Sequence, residues 1–221
     1  MAKKPLAPQQ ARSRESLERL MKAAREILNE KGLDWATVPR VAARAGLSPG
    51  SVYRRFPNKD ALMRAVVLQT LEALDVSTAS ALTSELAERL SLHAFADTMV
   101  RQSLAAQRRN AKMLRAMHQF VMSHPSVAFK KKAAELNARS VQRVADFLLL
   151  KRGEMNHPDL RKAAPFALML VGLMLQGIIV FDALPSVHDP RLPKTDDELV
   201  EELSRAFLRY LGAEHTSKGR S

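Results

Sequence analysis

A four-residue turn, Ala45-Gly46-Leu47-Ser48, lies between two short amphipathic segments and restricts the fold of this chain more than any other feature. The segment before it, about residues 38–45, has its apolar residues on one helical face, and the segment after it, about 49–55, commits only Val52 to a core. Gly46 supplies the left-handed backbone that a tight turn between helices needs. This spacing predicts a helix-turn-helix whose second helix is the recognition element; the alternative is an ordinary helical hairpin.

Helical periodicity extends over most of the rest of the chain. The chain has 8 glycines and few alternating apolar runs, which argues against β-sheet. The other apolar patterns predict helices at about residues 14–31, 60–78, 92–103, 113–121, 126–151, 159–184 and 195–211. Thr195 and Glu198 have the spacing of a capping box at the start of the last of these helices. The predicted fold is all-α, with about nine helices in total.

Positive charge is concentrated at the start of the chain. Residues 1–60 carry 13 Lys and Arg against 6 Asp and Glu, whereas the other 161 residues carry 22 against 17. The whole chain has a formal net charge of +12. A module that binds phosphate is expected to be this basic, although charge alone fits a merely basic soluble protein equally well.

Patterns that support catalysis or metal binding are missing from the sequence. The chain has no cysteine, which excludes disulfides, thiol catalysis and cysteine-ligated zinc. Its 6 histidines are scattered without the paired spacing of metal ligands. No Ser/His/Asp set, paired carboxylates, phosphate-binding loop or dinucleotide-binding glycine pattern is found. An enzyme with a helical fold is therefore the weakest alternative, and no metal or cofactor is predicted.

Two segments bear on where the protein works. The first 14 residues are polar and have no apolar core, so no signal peptide is predicted, and residues 1–13 are interpreted as a disordered basic arm. The run 163–181, AAPFALMLVGLMLQGIIVF, has 19 residues without a charge, which is within the length range of a membrane span. Charged residues close this run tightly on both sides, so a buried core helix, apolar all round, is favoured. The predicted location is cytoplasmic, and a membrane-anchored protein is the alternative.

The recognition segment carries residue types that read DNA. Three residues of its first turn are slim enough to lie deep in a major groove: Pro49, Gly50 and Ser51. Tyr53 offers a ring to thymine methyl groups and a hydroxyl to a phosphate. Arg54 or Arg55 has the donors to bind guanine or to neutralise the backbone.

Four residues that precede this segment are candidates for phosphate contacts. Thr37 and Ser48 stand at predicted helix N-termini, where backbone N–H groups attract phosphate, and capping alone is their alternative role. Arg40 and Arg44 are four residues apart and point away from the apolar face of their helix. A phosphate contact is favoured for both over a solvated charge pair.

The same residues resemble a known family. The run Ala45–Leu62, AGLSPGSVYRRFPNKDAL, preceded by Gly32-Leu33, Thr37-Val38 and Val41-Ala42, is similar to the DNA-binding signature of the tetracycline-repressor (TetR) family. This resemblance is long, free of gaps and specific. It implies that the helix-turn-helix domain, about residues 14–60 and called the head below, binds double-stranded DNA.

Single residues can be carried over from the family pattern. The resemblance implies phosphate contacts from Thr37, Tyr53 and Lys59, and base contacts around residues 49–51. Arg55 departs from the pattern, because the family usually has His, Tyr or Phe there, and this departure leaves the operator preference open. Trp35 is also unusual, and it is expected either to pack beside its neighbours or to lie half-exposed.

The resemblance further implies a helical second domain that encloses an effector and pairs two subunits. Adaptable apolar side chains on the later helices, with one histidine, are the candidate pocket residues: Phe95, Met99, Met113, Met117, His118, Phe120, Val121, Phe147, Met169 and Leu173. Filling a core is the alternative role for each. The apolar density of the helix at 159–184 suggests a four-helix dimer interface, with these candidates: Leu175, Ile179, Leu199, Leu203, Phe207 and Tyr210.

The predicted organisation follows from these inferences. It comprises the arm at 1–13, a helix-turn-helix DNA-binding domain at 14–60, a connecting helix at about 60–78, an effector-binding and dimerisation domain at 79–212, and a flexible tail at 213–221. The predicted protein is a sequence-specific transcriptional regulator: a homodimeric repressor that a small apolar or amphiphilic effector releases from a near-palindromic operator. A regulator without a small-molecule ligand is the remaining alternative.

Overall fold

The structure, a computed structural model, describes residues 8–180 and 191–213. These residues contain no β-strand and form nine α-helices: α1 (Pro8–Lys31), α2 (Val38–Arg44), α3 (Pro49–Arg55), α4 (Lys59–Ala81), α5 (Ser84–Arg89), α6 (Leu92–Ser123), α7 (Val127–Leu150), α8 (Leu160–Leu175) and α9 (Asp196–Tyr210). A 3₁₀ turn follows α7, and a π-helical turn, Gln176–Val180, extends α8. The all-α prediction is confirmed.

The chain divides into two compact units. Unit 1 comprises residues 1–72 and 112–133, and unit 2 comprises residues 73–111 and 134–221. The helices α4, α6 and α7 each contribute residues to both units. The sequence analysis assigned 112–133 to the second domain, and the structure corrects this. Met113, Met117 and Phe129 pack into the core of unit 1, which accounts for the difference.

The core of unit 1 forms around the predicted head. One face of α1 is buried, with Leu20, Met21 and Leu28 each at most 1% exposed, and Val41 of α2 and Val52 of α3 pack into the same cluster. A turn of α-helix repeats every 3.6 residues, so an apolar stripe at that spacing places these side chains on one side.

A buried histidine orders the corner between α6 and α7. His124 is 7% exposed, and its Nδ1 accepts a hydrogen bond from the backbone N–H of Ser126 at 3.0 Å. Its Nε2 therefore carries the proton and donates to Oδ1 of Asp60, at the start of α4, at 2.9 Å. Sequence analysis did not identify this pair, since the partners are far apart in the chain.

The helices differ from the predicted ones in three places. The first helix begins at Pro8 instead of about residue 14, so residues 8–13 are not a disordered arm; residues 1–7 lie outside the described part. The helices predicted at 92–103 and 113–121 are joined in α6, whose backbone departs from helical angles at Asn110. The short helix α5 was not predicted. Residues 8–13, the stretch between residues 103 and 113, and α5 each lack a clear apolar stripe, which is the signal that the prediction used.

Unit 2 has a core of its own. Leu92, Leu148, Leu175 and Leu211 are each fully buried there. The start of α9 confirms the predicted capping box, because Thr195 and Glu198 each bond the other's backbone N–H. The end of the helix predicted at 159–184, the segment after it and the predicted tail lie largely outside the described residues, at 181–190 and 214–221.

The helix α8 is buried on one side and exposed on the other. Five of its residues face the core of unit 2: Ala163, Ala164, Ala167, Val171 and Leu175. Only 33% of its most apolar 18-residue stretch is buried, so the predicted core helix is buried on one face only in a single chain. Among the described residues, Leu160–Val180 is the one helix long and apolar enough to cross a membrane, and the core helix of a soluble protein meets the same criterion.

Candidate nucleic-acid interface

The predicted turn between α2 and α3 has the expected geometry. Gly46 has a φ of +65°, in the left-handed region. Its N–H donates to the carbonyl of Ala43 at 3.1 Å, and the N–H of Leu47 donates to Ala42 at 2.9 Å, which closes the end of α2 in a Schellman motif. Ser48 then caps α3, since its Oγ accepts a hydrogen bond from the N–H of Ser51 at 3.3 Å. The helix-turn-helix is thus set by local interactions.

The two sides of α3 differ sharply in exposure. Val52 is 2% exposed and anchors the helix, whereas Tyr53 is 45% exposed. The other outward-facing residues of this segment are Ser48, Pro49, Gly50, Arg54 and Arg55. A Cβ added to Gly50 would meet nothing within 4 Å, so this turn leaves open space for an approaching surface. A helix held by one apolar residue and exposed elsewhere is suited to enter a groove.

Arg55 joins α3 to the beginning of α1. Its Nη2 donates to Oγ of Ser13 at 2.5 Å, and both Nη atoms lie 3.4–3.5 Å from the carbonyl of Ser13. A groove of about 540 Å³ runs beside this contact, and its lining includes Ser16, Leu47 and Arg54. The early turns of α1 therefore border the recognition helix. Sequence analysis missed this, because those turns carry no apolar stripe.

The two arginines of α2 have different surroundings. Arg44 donates to Glu30 at 2.6 and 3.0 Å and to Glu26 at 3.2 Å, so its charge is matched inside unit 1. The hydrogen bond from Arg44 lowers the pKa of the Glu30 carboxyl and the pKa of the guanidinium is raised in turn. Arg40 has no ion pair within residues 8–180 and 191–213, and its guanidinium lies over the ring of Trp35. The structure thus separates two residues that the sequence treated alike.

Two further phosphate candidates lie near the start of α2. Thr37 occupies the N-cap position, but its side chain makes no capping hydrogen bond. Lys59 donates from Nζ to the carbonyl of Leu33 at 2.7 Å, and an ammonium has two more donors. Both side chains are half-buried. Their phosphate contacts remain predictions.

The structure does not bring the predicted pocket residues together. Four of them lie in the core cluster of unit 1: Met113, Met117, Phe120 and Val121. Phe95, Phe147 and Met99 pack in the core cluster of unit 2, where the two phenylalanine rings lie 4.8 Å apart. His118, Met169 and Leu173 are exposed. Filling a core explains the buried members, because apolar spacing alone does not distinguish a core from a cavity wall.

The predicted dimer residues are mostly turned inward. Leu175, Leu203 and Phe207 are at most 8% exposed, within the core of unit 2, and Ile179 and Leu199 pack against that core. Tyr210 alone is exposed, at 37%. On a helix that is apolar all round, the sequence does not show which side faces the subunit's own core. Leu175, Leu203 and Phe207 therefore fill the core of unit 2, while the dimer roles of Ile179, Leu199 and Tyr210 stay predictions.

A cleft in unit 2 is lined mostly by charged side chains. It has a volume of about 480 Å³ and lies between α6 and α9, next to His93 and Arg209. Arg101 pairs there with Asp97 at 3.5 Å and with Asp197 at 2.5 Å. This cleft is not the apolar pocket that the sequence predicted. In the described part of the chain, no group of three or more His, Asp or Glu side chains is placed to hold a metal ion.

Known proteins are similar to the head of this chain. Residues 20–66 match the profile of the family described as "Bacterial regulatory proteins, tetR family". The transcriptional regulator UidR of Escherichia coli is 39% identical over 54 residues, which are 24% of this chain and 28% of UidR. The Bacillus subtilis regulator YvdT is 39% identical over 49 residues, 22% of this chain and 25% of its own length. The matched region thus spans about a quarter of these curated relatives.

Solved structures are similar over most of the fold. A TetR-family regulator from Mesorhizobium loti has a TM-score of 0.69 and 22% identity, with 91% of this chain and 98% of that chain covered. FadR from Bacillus subtilis, solved with stearoyl-CoA, has a TM-score of 0.59 and 15% identity, with 89% and 97% covered. At such identities these structures show the fold. Residues 20–66 therefore match the DNA-binding head of the TetR family of bacterial regulatory proteins, and the fold of the chain is the one found in solved structures of that family.

Proposed function

We propose that this protein is a cytoplasmic, homodimeric repressor that binds a near-palindromic DNA operator and is released by a small apolar or amphiphilic effector. The observation that carries DNA binding is the form of α3, a short helix anchored by Val52 that exposes Tyr53, Arg54 and its slim first turn. The matched relatives are transcriptional regulators, a role without catalysis.

The contact geometry follows from the helix-turn-helix. The second helix of such a motif lies in the major groove, and the first crosses the sugar-phosphate backbone. Residues 49–51 and Arg54 then face base edges, while Thr37, Arg40, Ser48 and Lys59 face phosphates. Tyr53 offers its ring to a base and its hydroxyl to a phosphate. The contacts of Arg55 with Ser13 use three of its five N–H donors, so two donors remain for DNA. The two heads of a dimer are expected to read half-sites about 34–36 Å apart.

The exposed face of α8 supports dimerisation. Five apolar residues recur there at helical spacing, each at least 42% exposed: Phe166, Met169, Leu170, Leu173 and Met174. Tyr210 of α9 extends this face, with its ring 5.3 Å from that of Phe166. A contiguous exposed apolar surface is typical of a protein–protein contact. Two copies that meet through the same face would form a closed pair.

Release by an effector requires the two units to be coupled. The helix α4 runs through the boundary between them at residues 72 and 73, so its C-terminal part belongs to unit 2. An effector that binds more tightly to the conformation incompetent for DNA shifts the protein towards it. The fold is shared with FadR, which was solved with the amphiphile stearoyl-CoA, and this supports an effector of that class.

Selection from a random duplex pool by the purified full-length protein tests the DNA-binding proposal. The selected sequences should share a near-palindrome, and the logarithm of affinity should fall linearly with the logarithm of salt concentration. About 6–10 phosphate contacts correspond to a slope of roughly −5 to −9. Recovery of no common sequence, with a salt response near zero, would contradict DNA recognition. A panel of fatty acids and acyl-CoA thioesters, added to the complex, tests release.

A further inference from the structure

One large aromatic residue of unit 1 lies outside both the core and the recognition helix. Trp35, the one tryptophan of the chain, is 50% exposed in the turn between α1 and α2. The turn itself is well ordered by contacts: Ala36 is fully buried, and the N–H of Thr37 donates to the carbonyl of Trp35 at 2.8 Å. Lys59, at the start of α4, also donates a hydrogen bond to the carbonyl of Leu33 in this turn. The indole is thus presented to solvent by a rigid turn.

Two cations lie against the ring of Trp35. The guanidinium carbon of Arg40 is 4.1 Å from the ring centroid, and the ammonium of Lys31 is 5.9 Å from it. A guanidinium is attracted to the face of an indole ring. Its N–H bonds lie in its own plane, so stacking restrains the side chain and leaves these donors available to an anion.

Arg44 provides the internal comparison. It is one helical turn further along α2 and is also exposed, but Glu26 and Glu30 neutralise it. The carboxylates that match Arg44 come from α1, whereas Arg40 is held by an aromatic ring that adds no negative charge. Arg40 therefore keeps its full positive charge for an external partner.

We propose that Trp35 is a positioning residue that holds Arg40 against a DNA phosphate on the strand crossed by α2. This inference rests on the proposed DNA-binding function. The first helix of a helix-turn-helix lies along the backbone, and Arg40 is on the exposed side of α2. Prior stacking reduces the side-chain freedom that Arg40 would otherwise lose when it binds. Arg44 holds α2 to α1 and makes no phosphate contact.

Affinity for the selected duplex, measured against salt concentration, tests this assignment. Arg40→Ala should reduce the magnitude of the log–log slope by about 1, the change expected for one lost phosphate contact. Trp35→Ala should weaken binding about three- to tenfold, and the double variant should be no weaker than Arg40→Ala, because both act through one contact. Trp35→Phe keeps an aromatic face and should stay within about twofold of the wild type. Arg44→Ala is the matched control and should leave the slope unchanged.

The fluorescence of Trp35 gives a second readout that does not depend on a variant's stability. Quenching by acrylamide should fall at least about twofold when wild-type protein is saturated with the selected duplex, since the exposed ring lies beside the bound backbone. Unchanged quenching, additive losses for Trp35→Ala and Arg40→Ala, or equal slopes for Arg40→Ala and Arg44→Ala would overturn the role of Trp35. Wild-type protein that binds no duplex would overturn the proposed function itself.

Discussion

Unit 1 contains 19 Lys and Arg residues against 7 Asp and Glu, whereas unit 2 contains 16 of each. The whole formal charge of +12 therefore belongs to unit 1. Residues 112–133 add 5 basic residues and no acidic one to it, although the sequence analysis had assigned them to the second domain. The apolar residues of this segment pack with the head, so its basic residues belong to unit 1 as well.

The two units also present different surfaces. In unit 2, arginines pair with carboxylates of the same unit, as in the contacts of Arg143 with Asp75 and Arg205 with Glu201. Its exposed face on α8 is apolar. In unit 1, Arg40 and Arg54 of the helix-turn-helix are exposed and have no ion pair among the described residues, and the basic residues of this unit outnumber its acidic ones. The comparison suggests that unit 1 is built to meet a polyanion and unit 2 to meet another apolar surface.

The largest expected effect comes from the apolar face of unit 2. Leu173 is 57% exposed, and Leu173→Glu places a charge in the proposed dimer contact. The protein should become monomeric in light scattering, and operator affinity should fall about 10²–10⁴-fold, because one head no longer holds the other near its half-site. Val127→Glu is the control, since Val127 is 75% exposed but lies in unit 1, and it should remain dimeric. A dimeric Leu173→Glu protein would contradict the proposal that the apolar face of α8 in unit 2 is the dimer contact.

A backbone change in unit 1 should have the next largest effect. Nothing lies within 4 Å of a Cβ added to Gly46, so Gly46→Val is opposed by its φ of +65° and not by crowding. Strain of about 1–3 kcal/mol should displace α3 and weaken operator binding about ten- to hundredfold, with self-association unchanged. Gly50→Ala, which needs no positive φ, should leave thermal unfolding unaffected. Wild-type affinity in Gly46→Val would show that the turn does not orient α3.

A side-chain change on the same helix should be milder. Tyr53 is 45% exposed, so Tyr53→Ala should not alter the unfolding temperature. Operator affinity, measured by fluorescence anisotropy, should fall about tenfold, or roughly 1.4 kcal/mol. Tyr53→Phe removes only the hydroxyl. Its operator affinity should lie between those of Tyr53→Ala and the wild type, because the contact made by the ring is kept. Undiminished affinity of Tyr53→Ala would remove this residue from the interface.

The smallest effect concerns stability in unit 2. Arg143 donates to Asp75 at 2.6 Å, which lowers the pKa of that carboxyl below its ordinary value. The stabilisation is complete above the unfolded pKa, about 3.9, and is lost as pH falls through the lower folded pKa. Asp75→Asn should lower the unfolding temperature by about 2–4 °C at pH 7, and the difference should shrink as the pH falls below about 4 and vanish only below the folded pKa of Asp75.

The exposed Asp146, on the same helix as Arg143, supplies the control for this prediction. Asp146→Asn should leave the unfolding temperature unchanged at every pH. Operator affinity at neutral pH should be the same for both variants, since the charges of unit 2 are used within it. A temperature difference for Asp75→Asn that does not depend on pH would contradict the assignment to the ion pair.

The head was predictable because its signals are local. Gly46, Ser48 and the stripe around Val41 act within one or two turns of chain, and the structure places each as expected. The different roles of Arg40 and Arg44 were not predictable, since they depend on which side chains of α1 and of the turn face α2. The start of α1 at Pro8 was also not predictable from the sequence, because the early turns of this helix carry no apolar stripe.

By itself the sequence determined the helical class, the helix-turn-helix and its recognition segment, because backbone preference, capping and periodicity operate between near neighbours. Only the tertiary structure decided that residues 112–133 pack with the head and that Phe166, Leu170 and Leu173 lie on the exposed side of α8. The physical reason is that an apolar stripe predicts burial without naming the surface that covers it. A helix such as α8, apolar on every side, leaves that choice to the packing of distant segments.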